Sequence, residues 1–262
     1  MIVSDSPSGS PWGDGNRPIV LVHGAWVGEW SWLPVLPRLK ASGRAVHNVS
    51  LTGQGARRHQ GGNHLHLLDH VDDVVGVIQT LDLRAVTLVG HSYGGRVITG
   101  VAGRVPDRLD AMVYLDAHAP IAPDPGQTPE RLAAAEANDG MLPFGGYDLD
   151  PAFFGGLDGV AWCRERLVDH PMACFTDPWV VELPDRIVKT YVYAASPEPT
   201  KFSAYSAAAK ADPGWHHHQL EGPHFLMYSH PDEVTAIILD ADAGPPDRPS
   251  QSNSSSRAPS GP

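Results

Sequence analysis

Six short apolar runs, each closed by glycine, proline or a polar turn, constrain this chain more than any other feature. They are PIVLVHG from residue 18, RAVHNVSLTG from 44, AVTLVGHS from 85, AMVYLDAH from 111, IVKTYVYAAS from 187 and WHHHQLEG from 215. Most are apolar at consecutive positions, the pattern of strands buried on both faces. Between them, LDHVDDVVGVIQTL and GGRVITGVAGRV place apolar residues three and four apart, as helices covering a sheet do. Strand and helix in alternation predict an α/β architecture with a mostly parallel, doubly wound sheet.

The predicted folded body spans about residues 18–240, with no internal repeat. Residues 1–17 and 241–262 are rich in proline, serine and glycine and are expected to be disordered, since they bury too little apolar surface to offset ordering entropy. Residues 119–185 break the alternation with prolines, glycines, one helical stretch (PERLAAAEAND) and the aromatics Phe144, Tyr147, Phe153, Phe154, Trp162 and Trp179. An insertion of this length predicts a cap over the sheet. Trp26, from the turn after the first predicted strand, and Trp162 and Trp179 of this insertion are the expected walls of a substrate pocket.

Charge narrows the partners. With 19 Lys and Arg against 30 Asp and Glu, the net charge of −11 offers no footprint for nucleic acid. No basic amphipathic helix or apolar run of spanning length points to a membrane. The expected partner is a small-molecule substrate. Two cysteines, Cys163 and Cys174, and a start without the basic and apolar parts of a secretory signal predict a cytoplasmic location and no disulfide scaffold.

Within VTLVGHSYGGRVI, Gly90, His91, Ser92, Tyr93 and Gly94 form Gly-x-Ser-x-Gly between a strand and a helix. A serine on so sharp a turn adopts a strained backbone, and side chains at 90 or 94 would collide as strand and helix approach. Its hydroxyl is held over the carboxyl end of the sheet, beside a helix N-terminus that favours developing negative charge. A hydroxyl needs a base to attack at neutral pH. His224 fits, because it lies in the loop after the last predicted strand and before a terminal helix near Pro231. VLVHGAWVGEW supplies a glycine turn after the first strand, whose amides, with that of the residue after the serine, form an oxyanion hole; by position the donors are Ala25 and Tyr93.

HGAWVGEWSWLPVLPRL, SLTGQGARRH, LVGHSYGGRVI, MVYLDAHAP and ADPGWHHHQLEGPHFLM together resemble the α/β-hydrolase superfamily, in particular bacterial esterase-like members related to plant methylesterases and hydroxynitrile lyases. The resemblance implies the α/β-hydrolase fold, a triad of serine, histidine and acid, and no cofactor. Related enzymes carry the acid just after the strand that here reads KTYVYAASPEPT, yet Ser196 and Pro197 stand there and Glu198 is the nearest carboxylate. Asp116, ending the preceding strand, is the alternative and the favoured one, since a strand end holds a carboxylate more rigidly than a proline-flanked loop.

The expected chemistry is hydrolysis of a carboxylic ester, lactone or thioester through an acyl-enzyme. Three other readings compete with it. HLHLLDH at 64–70 resembles a two-zinc cluster but has one residue too many, and Asp69, Asp72 and Asp73 fall on a helix face expected to be solvated; His216, His217 and His218 alternate along a strand, so no metal site is expected. Hydroxynitrile lyases place a lysine beside the catalytic histidine, where this chain has Phe225. A non-catalytic ligand-binding protein, or a non-hydrolytic tailoring enzyme of the same fold, is the remaining alternative.

Overall fold

The computed structural model describes residues 17–124, 127–144, 149–152, 154, 156–196 and 201–243. Tyr147, Phe153, Glu198 and nearly all of both predicted disordered ends lie outside these residues.

The apolar runs form β1 (Ile19–Val22), β2 (Val46–Val49), β3 (Val86–His91) and β4 (Leu109–Leu115) and, beyond two short cap strands β5 (Met141–Leu142) and β6 (His170–Pro171), β7 (Val188–Ala194) and β8 (Trp215–Leu220). Six of them make one sheet in the order β2-β1-β3-β4-β7-β8, parallel at every pairing. The helices, in chain order, are α1 (Leu36–Ala41), α2 (Leu67–Thr80), α3 (Gly94–Arg104), α4 (Pro129–Glu136), α5 (Gly156–Arg164), α6 (Ala173–Thr176), α7 (Ser203–Ala211), α8 (Leu226–Ser229) and α9 (Pro231–Ala243).

Strand periodicity divides the core in two. Val20, Val22, Leu88, Met112 and Tyr114 pack on one face with Val71, Val74 and Ile78 of α2, Val97 and Val101 of α3, and Tyr205 of α7. Ile19, Leu21, Val89, Val113 and Leu115 pack on the other with Leu39 of α1 and Val234, Ile237 and Ile238 of α9. Each such aliphatic side chain taken fully out of water contributes roughly 1.5–3 kcal/mol of transfer free energy, so helices on both faces are required to cover the sheet.

Two expectations change. α9 runs to Ala243, so the folded body passes the predicted boundary at 240. The cap holds α4, α5 and α6 and the antiparallel β5–β6 pair, with Leu142 opposite His170, rather than one helix. α5 contains two glycines and α6 is four residues long, so neither carries a readable period. The cap is fastened to the body at Trp26, whose indole donates to the Leu142 carbonyl at 2.9 Å and whose own carbonyl accepts from Val168 at 3.0 Å.

Candidate active site

Four loops converge at the carboxyl ends of the parallel strands: residues 23–28 after β1, 92–93 after β3, 116–119 after β4 and 221–225 after β8. Three non-glycine residues there have left-handed backbones, Trp26 at φ 65°, Ser92 at 56° and Asp116 at 40°. Such conformations cost about 1–3 kcal/mol each and persist where the surroundings over-determine them.

Ser92 is 4% exposed, at the turn from β3 into α3. Its N–H donates to Leu115 at 3.2 Å, and its carbonyl accepts from Gly95 and His118, each at 3.1 Å. The flanking glycines are steric necessities. A Cβ on Gly90 would stand 2.7 Å from the Gly94 carbonyl oxygen, and one on Gly94 2.7 Å from that of Val22.

Asp116 and His224 meet directly. The imidazole Nδ1 lies 2.6 Å from Asp116 Oδ2, while Asp116 Oδ1 accepts the Ala194 amide at 3.2 Å. With a carboxylate at Nδ1, the ring carries its hydrogen there and presents an unprotonated Nε2. Phe202 stacks on the ring, centroids 5.3 Å apart and planes within 10°. Burial, with the Lys201 ammonium adding to it, holds the His224 imidazole well below the usual histidine range.

His91 links this pair to the serine. The ring of the residue preceding Ser92 lies 4.5 Å from that of His224, and its Nε2–H donates to the His224 carbonyl at 3.0 Å. The place of His91 inside the glycine-serine motif is the signal that the sequence offers for it. Ala25 and Tyr93 are buried beside the serine, and neither amide donates to a backbone carbonyl among the described residues. Both are of the type that can receive developing charge.

A cavity of about 360 Å³ opens beside Trp26, walled also by Ala134, Leu142, Pro143, Glu130, Arg131 and Lys201. Trp162 does not line this cavity: it is 37% exposed, edge-on to Trp30 at 5.5 Å and under the Arg166 guanidinium at 3.8 Å. Trp179 is buried away from that wall, its indole donating to Asp124 at 2.9 Å and its ring under the Arg96 guanidinium. Aromatic content announced a cap but not which side of it each ring would face. Lys201 and Arg131 went unnoticed because nothing in sequence ties them to the strand ends.

The HLHLLDH residues disperse. His66 pairs with Asp177 at 3.0 Å and Asp69 caps the first turn of α2 through the His66 amide. Asp73 is not on a solvated face: it binds the Thr52 amide at 2.6 Å and the Arg57 guanidinium. His70 turns inward, where it joins His170 and Cys174 in a buried cluster able to hold a metal ion.

A family model described as Alpha/beta hydrolase family matches residues 19–237. A carbendazim hydrolyzing esterase from a Nocardioides strain is 33% identical over 234 residues, covering 82% of this chain and 95% of that protein. Methylesterase 3 of Arabidopsis thaliana is 32% identical over 107 residues, 40% of this chain and 41% of its own length. Among solved structures, a methylesterase from Arabidopsis superposes with a TM-score of 0.69 at 22% identity, covering 87% of this chain and 99% of that one. A pyrethroid hydrolase from Sphingobium faniae does so at 0.64 and 23%, covering 87% and 98%.

Proposed function

The chain belongs to the alpha/beta hydrolase family, and from that premise we propose that it hydrolyses a carboxylic ester of a small molecule through a serine acyl-enzyme. The observation that carries the proposal is the short Asp116–His224 hydrogen bond beside the strained Ser92 turn. In this reading Ser92 is the nucleophile, His224 the general base and then general acid, and Asp116 the carboxylate that orients the imidazole and stabilises its charged form. The Ala25 and Tyr93 amides receive the oxyanion as the tetrahedral intermediate forms. His224 returns its proton to the leaving alcohol, and water repeats the sequence on the acyl group. Glu198 lies outside the described residues, so the geometric support falls to Asp116.

The proposed partner is a small substrate with an apolar body, to lie against Trp26, Leu142 and Pro143, and with polar groups facing Glu130, Arg131 and Lys201. Methyl esters are the first compounds to screen, given the methylesterase among the relatives. A fluorophosphonate probe is expected to label Ser92 stoichiometrically. Ser92→Ala is expected to abolish labelling and to lower kcat by several orders of magnitude while leaving the fold intact. An unlabelled wild-type protein, or a Ser92→Ala variant with near-normal activity, overturns the assignment.

One observation favours a second reading. A lysine stands near in another segment, since Lys201 walls the cavity and precedes Phe202, which stacks on the His224 ring. Cyanide release from a cyanohydrin, measured beside ester hydrolysis, separates lyase from esterase.

A further inference from the structure

His70, on the buried side of α2, His170 in cap strand β6 and Cys174 in cap helix α6 come from segments far apart in sequence, yet all three are buried and their ligating atoms lie within 4.8 Å of one another. His170 is fully buried, and neither of its ring nitrogens has a hydrogen-bond partner among the described residues. A buried imidazole with both nitrogens unsatisfied is costly, and natural structures rarely tolerate one without a ligand.

His70 is prepared differently. Its Nε2 sits 2.9 Å from the Thr52 carbonyl, which fixes the hydrogen there and leaves the Nδ1 lone pair facing the Cys174 sulfur at 3.9 Å and the Tyr93 hydroxyl at 2.8 Å. A nitrogen donating to a backbone carbonyl is what orients metal-binding histidines; the Nδ1 lone pair accepts the Tyr93 hydroxyl, a hydrogen bond that an incoming ion would displace.

We propose that His70, His170 and Cys174 bind one thiophilic d10 cation, zinc(II) or copper(I), with the Tyr93 hydroxyl next to the remaining position. The donor set is the soft and borderline one these ions select, rather than the oxygen cage of magnesium or calcium. Bond lengths of about 2.3 Å to sulfur and about 2.0–2.1 Å to nitrogen draw ligands to roughly 3.5 Å of each other, so side-chain rotations of about 1 Å suffice. Binding replaces the Cys174 S–H bond with a metal–sulfur bond and releases that proton to solvent; both histidines ligate as neutral rings. Leu142, which pairs with His170, also walls the open cavity.

The ion would join two cap elements to α2 and to the side chain of Tyr93, the residue after Ser92. This departs from the sequence reading, which placed no metal in the chain. It does not depend on the esterase assignment, and Ser92→Ala is expected to bind the ion as the wild type does.

The test loads purified wild-type protein with zinc sulfate or, under reductant, with copper(I), removes free ion by desalting, and counts retained metal by mass spectrometry. One equivalent per chain is expected for at least one ion, and the arm that retains it identifies which. Cys174→Ser and His170→Gln are expected to retain under a tenth of an equivalent. Should those variants fold poorly, cobalt(II) in the wild type is expected to give a thiolate charge-transfer band that survives Cys163→Ser. Wild-type protein that retains neither zinc nor copper, a folded Cys174→Ser variant that keeps a full equivalent, or a cobalt spectrum without the thiolate band overturns the site.

Discussion

His224 donates its Nδ1 hydrogen to the Asp116 carboxylate at 2.6 Å, joining positions 108 residues apart. Asp116→Asn keeps an oxygen for the Ala194 amide but turns an NH2 toward Nδ1, forcing the ring hydrogen onto Nε2. The expected loss in kcat is about 10³–10⁴-fold, read by steady-state kinetics, with thermal stability nearly unchanged. Glu198→Gln is expected to cost under tenfold, and the reverse ranking moves the acid to Glu198.

The His224 pKa is depressed, so its neutral, proton-accepting form persists below pH 6.5. Activity is lost only as pH falls through that lowered pKa. The acidic limb of kcat/KM is therefore expected below pH 6.5, and a limb centred above 7 contradicts the buried environment of the ring.

Acid should also unfold the protein. His91, His118 and His224 are held below the ordinary range by burial, so the unfolded chain binds more protons than the folded one once pH drops under about 6.5. Their contribution is present above that value and is lost as pH falls toward the folded-state values, by up to about 1.4 kcal/mol per pH unit for each ring. Urea unfolding at pH 7 and pH 5 measures it, with a lower midpoint expected at pH 5.

Ser92 has φ 56°, a region glycine occupies without steric cost. Ser92→Gly is expected to be more stable than Ser92→Ala by about 1–2 kcal/mol, both being inactive. Equal unfolding midpoints would mean that the turn carries no strain.

Arg96 is 1% exposed and held by Asp124 and by the Phe175 carbonyl at 2.8 Å, beneath the cap. Asp124→Ala leaves that cation uncompensated, with an expected destabilisation of about 3–5 kcal/mol, visible in chemical denaturation.

The six parallel strands were legible because most are runs of apolar residues and each has a turn at its end, and local composition determines that much. Ser92 and His224 could be named from their places relative to those strands. The acid could not be fixed, since Asp116 and Glu198 both follow strands that open on one crevice, and a through-space bond to Nδ1 has no counterpart in spacing. His170 and Cys174 were silent for the same reason: their partners come from other segments, and only the folded chain brings them near. The orientation of Trp162 was not legible, because an aromatic residue in a cap helix packs equally well toward either side.

The two hydrogen bonds that Trp26 makes across to residues 142 and 168 hold the loop after β1 from the cap side. Trp26 follows Ala25 directly and has φ 65°, so the cap and the segment carrying Ala25 share one fixed backbone position.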